Sequence, residues 1–246
     1  MGDSCNIPDA LAAALRDARH VCVLTGAGVS AESGVPTFRE AQDGLWAKYR
    51  AEDLATPEAF LADPALIWRW YRWRRGVVAD VEPNPGHYAI AAMADLVPRF
   101  TLVTQNVDDL HRRAGSRDVV EFHGNLFEDH CFAEGTVHVA DDSHDIPTCP
   151  QCGANLRPGV VWFGEAIPEQ ALEKACAAAA DCDVFLSVGT SSLVYPAAGL
   201  ADLAQQNDAV TVEINPNPTM HAERFDFALA GTSATVLPEL LELLSP

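Results

Sequence analysis

Glycines and serines follow the first apolar run of the sequence in a spacing typical of phosphate-binding loops. The apolar run is His20–Thr25, and the segment after it, Gly26–Ala31, has the spacing G-x-G-x-x-A. Such glycines let the backbone approach a pyrophosphate, and free N–H groups at a helix start attract the anion. The same spacing also suits a plain strand-to-helix turn in any α/β protein. The nearby serine hydroxyls and the downstream pair Phe38-Arg39 favour a nucleotide site.

The chain after this loop does not continue as a hydride-transfer dehydrogenase would. Such an enzyme reaches a second strand, which ends in an acidic residue for the ribose, about 20 residues after the loop. Here the corresponding place holds Trp46, and no strand pattern returns until Phe100–Thr104. Because the ribose carboxylate is missing and a long insertion follows the loop, the sequence argues against a nicotinamide dehydrogenase.

Polar side chains follow the second predicted strand. Gln105, Asn106 and Asp108 stand at its carboxyl end, where ligands bind in open α/β sheets. They can exchange hydrogen bonds with a carboxamide and hold sugar hydroxyls or a water. The alternative is structural, because Asn106, Asp108 or Asp109 can cap a helix predicted at Val107–Ala114. We favour ligand binding for Asn106, since a strand-terminal Gln-Asn pair is seldom needed for packing.

One of the eight histidines has a position that suits proton transfer. His123 ends a third short strand and is followed by Gly124, which would leave the imidazole unobstructed. An ordinary imidazole has a pKa of about 6.5, so it can be neutral at working pH and accept a proton from a sugar hydroxyl. A lone histidine at a strand end is more often structural, but only His123 combines a strand end with a following glycine.

With these motifs and further segments along the chain, the sequence resembles that of a sirtuin, an NAD-dependent protein-lysine deacylase, over nearly its whole length. The resemblance rests on segments that occur in the family's order, and chance does not account for all of them together. The segments are Gly26–Arg39, Gly44-Leu45-Trp46, Thr104–His111, Phe122–Asn125, Val160–Glu165, Val188–Ser192 and Glu213-Ile214-Asn215.

The resemblance implies a role for each matched segment. Residues that bind the NAD phosphates and the nicotinamide ribose would be Gly26, Ala27, Gly28, Ser30, Ala31, Glu32, Thr37, Phe38, Arg39 and Trp46. Gln105, Asn106 and Asp108 would line the nicotinamide pocket, and the adenosine half would be held by Gly189, Thr190, Ser191, Asn215 and Ser233. Val161, Phe163, Gly164 and Glu165 would belong to an edge strand, Val161–Glu165, that pairs with the substrate backbone and tolerates varied side chains.

The same resemblance implies the chemistry, with His123 and Asn106 as catalytic residues. The acyl-amide oxygen of a modified lysine would attack the anomeric carbon of NAD in a water-poor pocket. His123 would then act as general base on a ribose hydroxyl, and water would release lysine and O-acyl-ADP-ribose. An ADP-ribosyltransferase or NAD hydrolase would share the loop and His123 but needs no peptide-pairing strand. The intact His123 and Asn106 count against a non-catalytic NAD sensor.

One predicted helical stretch, Ile67–Arg75, narrows the expected class of substrate. It is dense in aromatic and cationic residues. Tyr71 and Arg74 lie three residues apart and so share one helix face. In the sirtuin branch that removes succinyl, malonyl or glutaryl groups, a Tyr-x-x-Arg pair at this place binds the distal carboxylate, which suits the planar guanidinium. The resemblance thus implies a desuccinylase/demalonylase of class III that also removes acetyl groups. The other arginines, Arg69, Arg72 and Arg75, are interpreted as solvated.

Cysteines further along the chain predict half of a zinc ribbon. Cys149 and Cys152 have the C-x-x-C spacing, whereas the upstream half has one cysteine, Cys131, followed by Glu134 where a second would stand. Zinc accepts carboxylate and imidazole as well as thiolate, so the fourth ligand would be Glu134 or a histidine. The candidate histidines are His130, His138 and His144. The alternative is loss of the metal, with the module held by packing.

Composition and charge narrow the class of protein. The formal net charge is −19, so direct nucleic-acid binding is not expected, because phosphate contacts need clusters of Lys and Arg. No run approaches the roughly 18 apolar residues of a membrane span, and no leader pattern opens the chain, so we expect neither membrane association nor secretion. Seven cysteines without a pairing pattern suit a reducing cytoplasm. The expected partners are acylated-lysine proteins or peptides.

The order of elements predicts one α/β domain, 1–246, with a Rossmann-like, mainly parallel sheet. Strands are expected near 20–25, 100–104, 119–122, 184–189 and 210–215, and helices at 8–19, 57–80, 86–97, 168–180, 196–206 and 237–244. A large lobe would comprise about 1–35, 90–125 and 160–246. A smaller lobe would comprise the helical insertion, 36–89, and the zinc-ribbon-like cysteine module, 126–159. The cleft between the lobes would hold cofactor and acyl-lysine.

Overall fold

The computed structural model describes residues 7–36, 49–139, 144–217, 219–220 and 222–244. Four residues predicted to contact NAD, namely Thr37, Phe38, Arg39 and Trp46, lie outside the described residues. Every helix in the described ranges falls short of the length and apolar character that a bilayer crossing requires.

The described residues contain nine strands that belong to two sheets. The strands are β1 (His20–Thr25), β2 (Arg99–Thr104), β3 (Val119–Glu121), β4 (Gly124–Cys131), β5 (Val137–His138), β6 (Leu156–Val160), β7 (Val184–Val188), β8 (Val210–Asn215) and β9 (Phe227–Ala230). The larger sheet has the order β3-β2-β1-β7-β8-β9, and all its pairings are parallel. The predicted mainly parallel sheet is therefore confirmed. β1 and β7 are buried along their whole length, as expected of central strands covered on both faces.

Most of the predicted helices are present, although some begin three or four residues away from the predicted start and the short helix at 51–54 was not predicted. The helices are α1 (Asp9–Asp17), α2 (Gly28–Ala31), α3 (Ala51–Leu54), α4 (Pro57–Ala62), α5 (Pro64–Ala79), α6 (Pro85–Leu96), α7 (Leu110–Arg113), α8 (Glu169–Asp181), α9 (Gly199–Gln206) and α10 (Ser233–Leu244). The single helix expected at 57–80 was wrong, because Asp63 ends α4 and caps α5 by accepting a hydrogen bond from the Leu66 N–H. The helix expected at Val107–Ala114 is shortened to the single turn α7.

Two apolar layers cover the faces of the large sheet. Side chains of α1, α6 and α10, such as Leu11, Ile90 and Leu237, pack against one face together with the valines of the strands. On the other face, α8 and α9 contribute small residues and leucines, such as Ala178 and Leu200. This three-layer arrangement is that of an α/β fold with helices on both sides of a parallel sheet.

A second, antiparallel sheet, with the order β5-β4-β6, lies next to the helical insertion. α5 packs against β4 and β6, and the core between them contains Phe60, Trp68 and Trp162. The three strands of this sheet and β9 were not predicted. The lobe boundaries given above stay a prediction.

The carboxyl ends of the parallel strands bring the predicted polar residues together. Strand order reverses between β1 and β7, which makes this edge a topological switch point of the sheet. Ligands of open α/β sheets bind at such a switch point. The segments after β1, β2, β3, β7 and β8 all emerge at this edge.

Candidate functional site

The glycine loop after β1 packs directly against the loop after β7. The Gly26 N–H donates to the Val188 carbonyl at 3.0 Å, and the Gly28 N–H donates to the Gly189 carbonyl at 2.8 Å. A Cβ on Gly28 would lie 2.7 Å from that carbonyl oxygen, which real Cβ atoms do not tolerate. The sequence pattern predicts that these glycines let the backbone approach a pyrophosphate. The structure shows that they also let the loops after β1 and β7 approach each other closely.

The loop after β7 is tied to the strand ends around it. Gly189 has a φ of +59°, a left-handed conformation that favours glycine. The side-chain amide of Gln105 donates to the Thr190 hydroxyl at 3.0 Å, and that of Asn215 donates to the Thr190 carbonyl at 3.0 Å. The structure therefore brings Gln105, Thr190 and Asn215 together, with Ser191 following as a half-buried residue.

Asn106 is held in one orientation at the centre of the site. Its amide nitrogen donates to the Gly26 carbonyl at 3.0 Å and to the Ser30 hydroxyl at 3.1 Å. Its backbone N–H donates to the Thr104 hydroxyl at 3.1 Å. Since the Nδ2 group is committed to these acceptors, the Oδ1 atom is the one left for a ligand.

Asp108 has the capping role considered from the sequence. Its Oδ1 accepts a hydrogen bond from the Leu110 N–H at 3.1 Å, so it caps α7, whereas the Asp109 side chain makes no capping bond. Burial raises the pKa of the Asp108 carboxyl, and the Ser30 hydroxyl, the Leu110 N–H and the charge of Arg74 oppose that rise. Asp108 therefore links the polar strand end to α5.

A hydrogen bond to the backbone fixes the tautomer of the half-buried His123 ring. Its Nδ1 lies 3.0 Å from the Gln105 carbonyl, which can only accept, so Nδ1 carries the hydrogen and Nε2 keeps its lone pair. Burial lowers the pKa of His123, although the bond to Gln105 opposes this change. The structure gives a further reason for glycine at position 124. Gly124 has a φ of +80°, and a Cβ there would lie 2.1 Å from the Gly159 carbonyl oxygen, so close packing on β6 requires glycine.

Two buried histidines behind the site were missed by the sequence reasoning. His87 Nε2 lies 3.4 Å from the Ser30 hydroxyl, and His111 Nε2 lies 2.9 Å from the Thr25 hydroxyl. Burial lowers the pKa of His87 to about 4 and that of His111 to about 3, so both are neutral supports for residues of the site. Nothing in a single sequence separates them from the other histidines, because their contacts come from distant segments.

Three of the predicted cofactor residues lie at the junction of α2 and α10. The Glu32 carboxylate accepts a hydrogen bond from the Ala234 N–H at 3.0 Å and so caps the start of α10. The Ser233 hydroxyl donates to the Val29 carbonyl at 3.5 Å, and Ala31 is exposed. The contacts of Glu32 and Ser233 thus hold two elements together in the structure.

The predicted acyl-binding pair lies on the face of α5 that turns toward the site. Tyr71 is buried, and its hydroxyl oxygen accepts a hydrogen bond from the Trp162 indole N–H at 2.8 Å. Burial raises the pKa of Tyr71 to about 12. The Arg74 guanidinium stacks 5.3 Å from the centre of the Trp70 ring, and its charge acts on both Tyr71 and Asp108.

Two arginines interpreted as solvated are instead bound, and this interpretation was wrong. Arg72 donates to the carbonyls of His144 and Asp145, at 2.6 and 3.0 Å. Arg75 donates to the carbonyls of Leu126 and Glu128 and pairs with the Asp129 carboxylate at 2.7 Å. Arg75 thus attaches α5 to the small sheet, Arg72 attaches it to the loop at 144–145, and both guanidinium groups lie close to the Trp68 ring, 5.4 and 5.3 Å from its centre. Arg69 is exposed, as expected.

The edge strand predicted at Val161–Glu165 is wrong. β6 ends at Val160, and the following residues form a loop with a turn at Phe163 and Gly164, where Gly164 has a φ of +87°. The Trp162 N–H donates to the Glu165 carboxylate at 2.8 Å, and this bond folds the segment back on itself. The N–H groups at 161 and 163 are also used internally, by the carbonyls of His123 and Ala55.

A cluster of metal-binding side chains lies at the far end of the small sheet. One ligand atom from each of Cys131, Glu134, Cys149 and Cys152 lies within 4.8 Å of those of the other three. Three thiols and one carboxylate are donors that zinc accepts in a tetrahedral site, so the cluster fits zinc. Of the histidines considered, His138 lies at its edge, with Nε2 3.4 Å from the Cys149 sulfur.

We expect the purified protein to hold about one zinc ion per chain, bound by this cluster. Replacing Cys152 by serine should lower the zinc content and the melting temperature together, because the site then lacks one thiolate. Zinc is measured by inductively coupled plasma mass spectrometry after dialysis. Cys176→Ser is the matched control, since Cys176 is a half-buried cysteine outside the cluster. A zinc content near zero in the wild-type protein would contradict the site.

The strand-end site and the fold define a nucleotide-binding α/β protein with a second, metal-binding module, and comparison with known proteins gives the family. A sequence profile of the Sir2 family matches residues 26–196. The NAD-dependent protein deacylase of Methylococcus capsulatus is 51% identical over 96% of this chain and 96% of its own length. NAD-dependent protein deacylase 2 of Pyrobaculum aerophilum is 48% identical over 96% of this chain and 94% of its own.

Solved structures agree with the sequence relatives. The crystal structure of a Sir2 homolog–NAD complex superposes with a TM-score of 0.91 at 41% identity, covering 99% of this chain and 96% of that one. A Sir2 complex with a deacetylated p53 peptide and 3′-O-acetyl ADP ribose gives a TM-score of 0.84 at 28% identity, covering 95% and 97%. The chain belongs to the Sir2 family, the sirtuins.

Proposed function

We propose that this chain is an NAD-dependent protein-lysine deacylase that removes succinyl and malonyl groups as well as acetyl groups. The proposal rests on one observation, which is that the residues at the strand ends lie next to those of the candidate acyl pocket. The strand-end site of Asn106 and His123 contains Asp108, and Asp108 interacts with Arg74 of the candidate acyl pocket. The relatives named NAD-dependent protein deacylase support the activity.

NAD fits the two loops that meet at the switch point of the large sheet. The backbone around Gly26 and Gly28 and the polar groups of Gln105, Asn106 and Asp108 would hold the phosphates, ribose and carboxamide. Thr190, Ser191 and Asn215 would hold the adenosine half. The complex of a Sir2 homolog with NAD, similar over almost the whole chain, supports this assignment. NAD supplies an electrophilic sugar carbon to which the acyl group is transferred as nicotinamide leaves.

The catalytic residues would act through atoms that their hydrogen bonds leave available. Asn106 would present Oδ1, because its Nδ2 group is fixed by Gly26 and Ser30. His123 would use Nε2 to remove a proton from a ribose hydroxyl, because its Nδ1–H is bound by Gln105. The buried His87 and His111 would keep the supporting hydroxyls in place without taking up charge.

The acyl pocket would bind a distal carboxylate through two hydrogen-bond donors, the Tyr71 hydroxyl and the Arg74 guanidinium. Tyr71 stays protonated at working pH because burial raises its pKa to about 12, and Arg74 adds a planar cation. Both lie on one face of α5, directed toward Asp108 and Trp162. An acetyl group, which has no carboxylate, would occupy the same site without using either donor.

The substrate would be an acylated lysine in a protein or peptide. Four N–H groups of Val161–Glu165 are used within the protein, so the Gly164 N–H and carbonyls of the segment would contact the substrate backbone. A Sir2 complex with a deacetylated p53 peptide supports peptide binding. The charge of −19 disfavours nucleic acid as a partner, and we place the protein in the cytoplasm, away from membranes.

The test is a single mass-spectrometric assay with NAD and a succinyl-lysine peptide. We expect free lysine peptide, nicotinamide and O-succinyl-ADP-ribose in equal amounts, with an acetyl peptide as the comparison substrate. ADP-ribose with unchanged peptide would identify an NAD hydrolase. A peptide that gains ADP-ribose would identify an ADP-ribosyltransferase, and no products would identify a non-catalytic NAD-binding protein.

A further inference from the structure

The hydrogen bond between Trp162 and Tyr71 fixes the direction of the tyrosine hydroxyl. An indole N–H is a donor only, so at a separation of 2.8 Å the phenolic oxygen must act as the acceptor. The hydroxyl hydrogen therefore has to point to a different partner. Both rings are buried, so water does not compete freely for this bond.

The hydroxyl hydrogen has no acceptor in the part of the chain that the structure describes, where Trp162 is the hydrogen-bond partner of Tyr71. The charged neighbour one helical turn away is Arg74, which can only donate. Burial raises the pKa of Tyr71 to about 12, so the hydrogen is retained at all working pH values. The Tyr71 hydroxyl thus offers its hydrogen to an anion close to the cationic Arg74.

Trp162 is itself held from three sides. Its backbone N–H donates to the Glu165 carboxylate at 2.8 Å, and the Arg157 guanidinium lies 3.4 Å from the centre of its ring. Arg157 also bonds Glu165, with Nη2 2.9 Å from Oε2. Phe60 packs against the indole at 5.3 Å between ring centres. This packing sets where the indole N–H points.

We propose that Trp162 is a positioning residue that determines acyl specificity, because its indole N–H occupies the Tyr71 oxygen and directs the hydroxyl hydrogen toward the distal carboxylate of the acyl group. This inference rests on the proposed function, in which Tyr71 and Arg74 bind that carboxylate. Trp162 lies within the segment Val161–Glu165, but the sequence reasoning selected its neighbours and not the tryptophan.

The test compares Trp162→Phe, which removes the N–H and keeps an aromatic ring, with Tyr71→Phe and with the double variant. KM and kcat are measured with succinyl and acetyl forms of one peptide. We expect Trp162→Phe to raise KM for the succinyl peptide roughly three- to tenfold and to leave the acetyl values within about twofold, since one hydrogen bond to a charged group is weakened. The double variant should lose no more succinyl activity than Tyr71→Phe alone.

Trp68→Phe is the matched control, because Trp68 is also buried and also loses one indole bond, to the Leu156 carbonyl at 2.9 Å. It should lower the melting temperature without changing the ratio of succinyl to acetyl activity. Equal losses on both peptides in Trp162→Phe, or additive losses in the double variant, would overturn the inference. A wild-type protein that does not remove succinyl groups would instead overturn the proposed function.

Discussion

Replacement of His123 by alanine should lower deacylation roughly 10²- to 10⁴-fold and leave the fold intact. The change removes the Nε2 base, while the Gln105 carbonyl, which loses its partner, lies in a half-buried position at the edge of the site. The rate is measured as product formed per chain with saturating NAD and peptide, and the fold is checked by circular dichroism and NAD binding.

The pH profile distinguishes a base from a structural histidine. Because burial lowers the pKa of His123, its neutral form persists below pH 6.5, and activity should fall only when the pH drops further, through that lowered pKa. His144→Ala, at an exposed histidine, should keep both the rate and this acid limb. A His123→Ala variant within tenfold of the wild type would exclude the assigned role.

Replacement of Arg74 by methionine should impair desuccinylation by roughly thirtyfold or more and spare deacetylation. Truncating one partner of a desolvated charge pair costs roughly 2–5 kcal/mol, and each 1.4 kcal/mol or so is a factor of ten. Methionine keeps apolar contact with the Trp70 ring, so the main loss is the cation. The measurement is kcat/KM for matched succinyl and acetyl peptides.

Arg69→Met provides the control for this variant. Arg69 is an exposed cation on the same helix, so its loss reports any effect of net charge or helix propensity. Arg69→Met should leave both activities unchanged. If Arg74→Met lowered desuccinylation and deacetylation by equal factors, the residue would act on the shared chemistry, through Asp108, and the acyl-pocket assignment would fail.

Most of the large sheet was predictable because its strands are runs rich in apolar and β-branched residues, bounded by turn residues. β1, β2, β7 and β8 were predicted within about one residue of their observed ends, and the polar residues at their carboxyl ends meet as expected. β9 was not predicted because its sequence, Phe-Ala-Leu-Ala, is short and contains alanines, which are weak strand formers, and because the strand lies at the sheet edge.

The errors share a cause, which is that side chains from distant segments decide the local structure. Val161–Glu165 looks like an extended run, but the Glu165 carboxylate, paired with Arg157, turns it into a loop. Arg72 and Arg75 look like solvated cations, but the carbonyls that bind them come from distant residues, 144–145 for Arg72 and the small sheet for Arg75. Such partners have no local signal along the chain.

The attachment of α5 to the small sheet has a consequence for engineering. This helix donates hydrogen bonds to carbonyls of residues 126–156 through Trp68, Arg72 and Arg75. The same stretch contains the cysteines of the metal-binding cluster. A chimaera that transplants the helix alone into another sirtuin would carry the Tyr-x-x-Arg pair but not the carbonyls that orient the helix. The unit to graft for a change of acyl preference is the helix together with its metal-bearing neighbour.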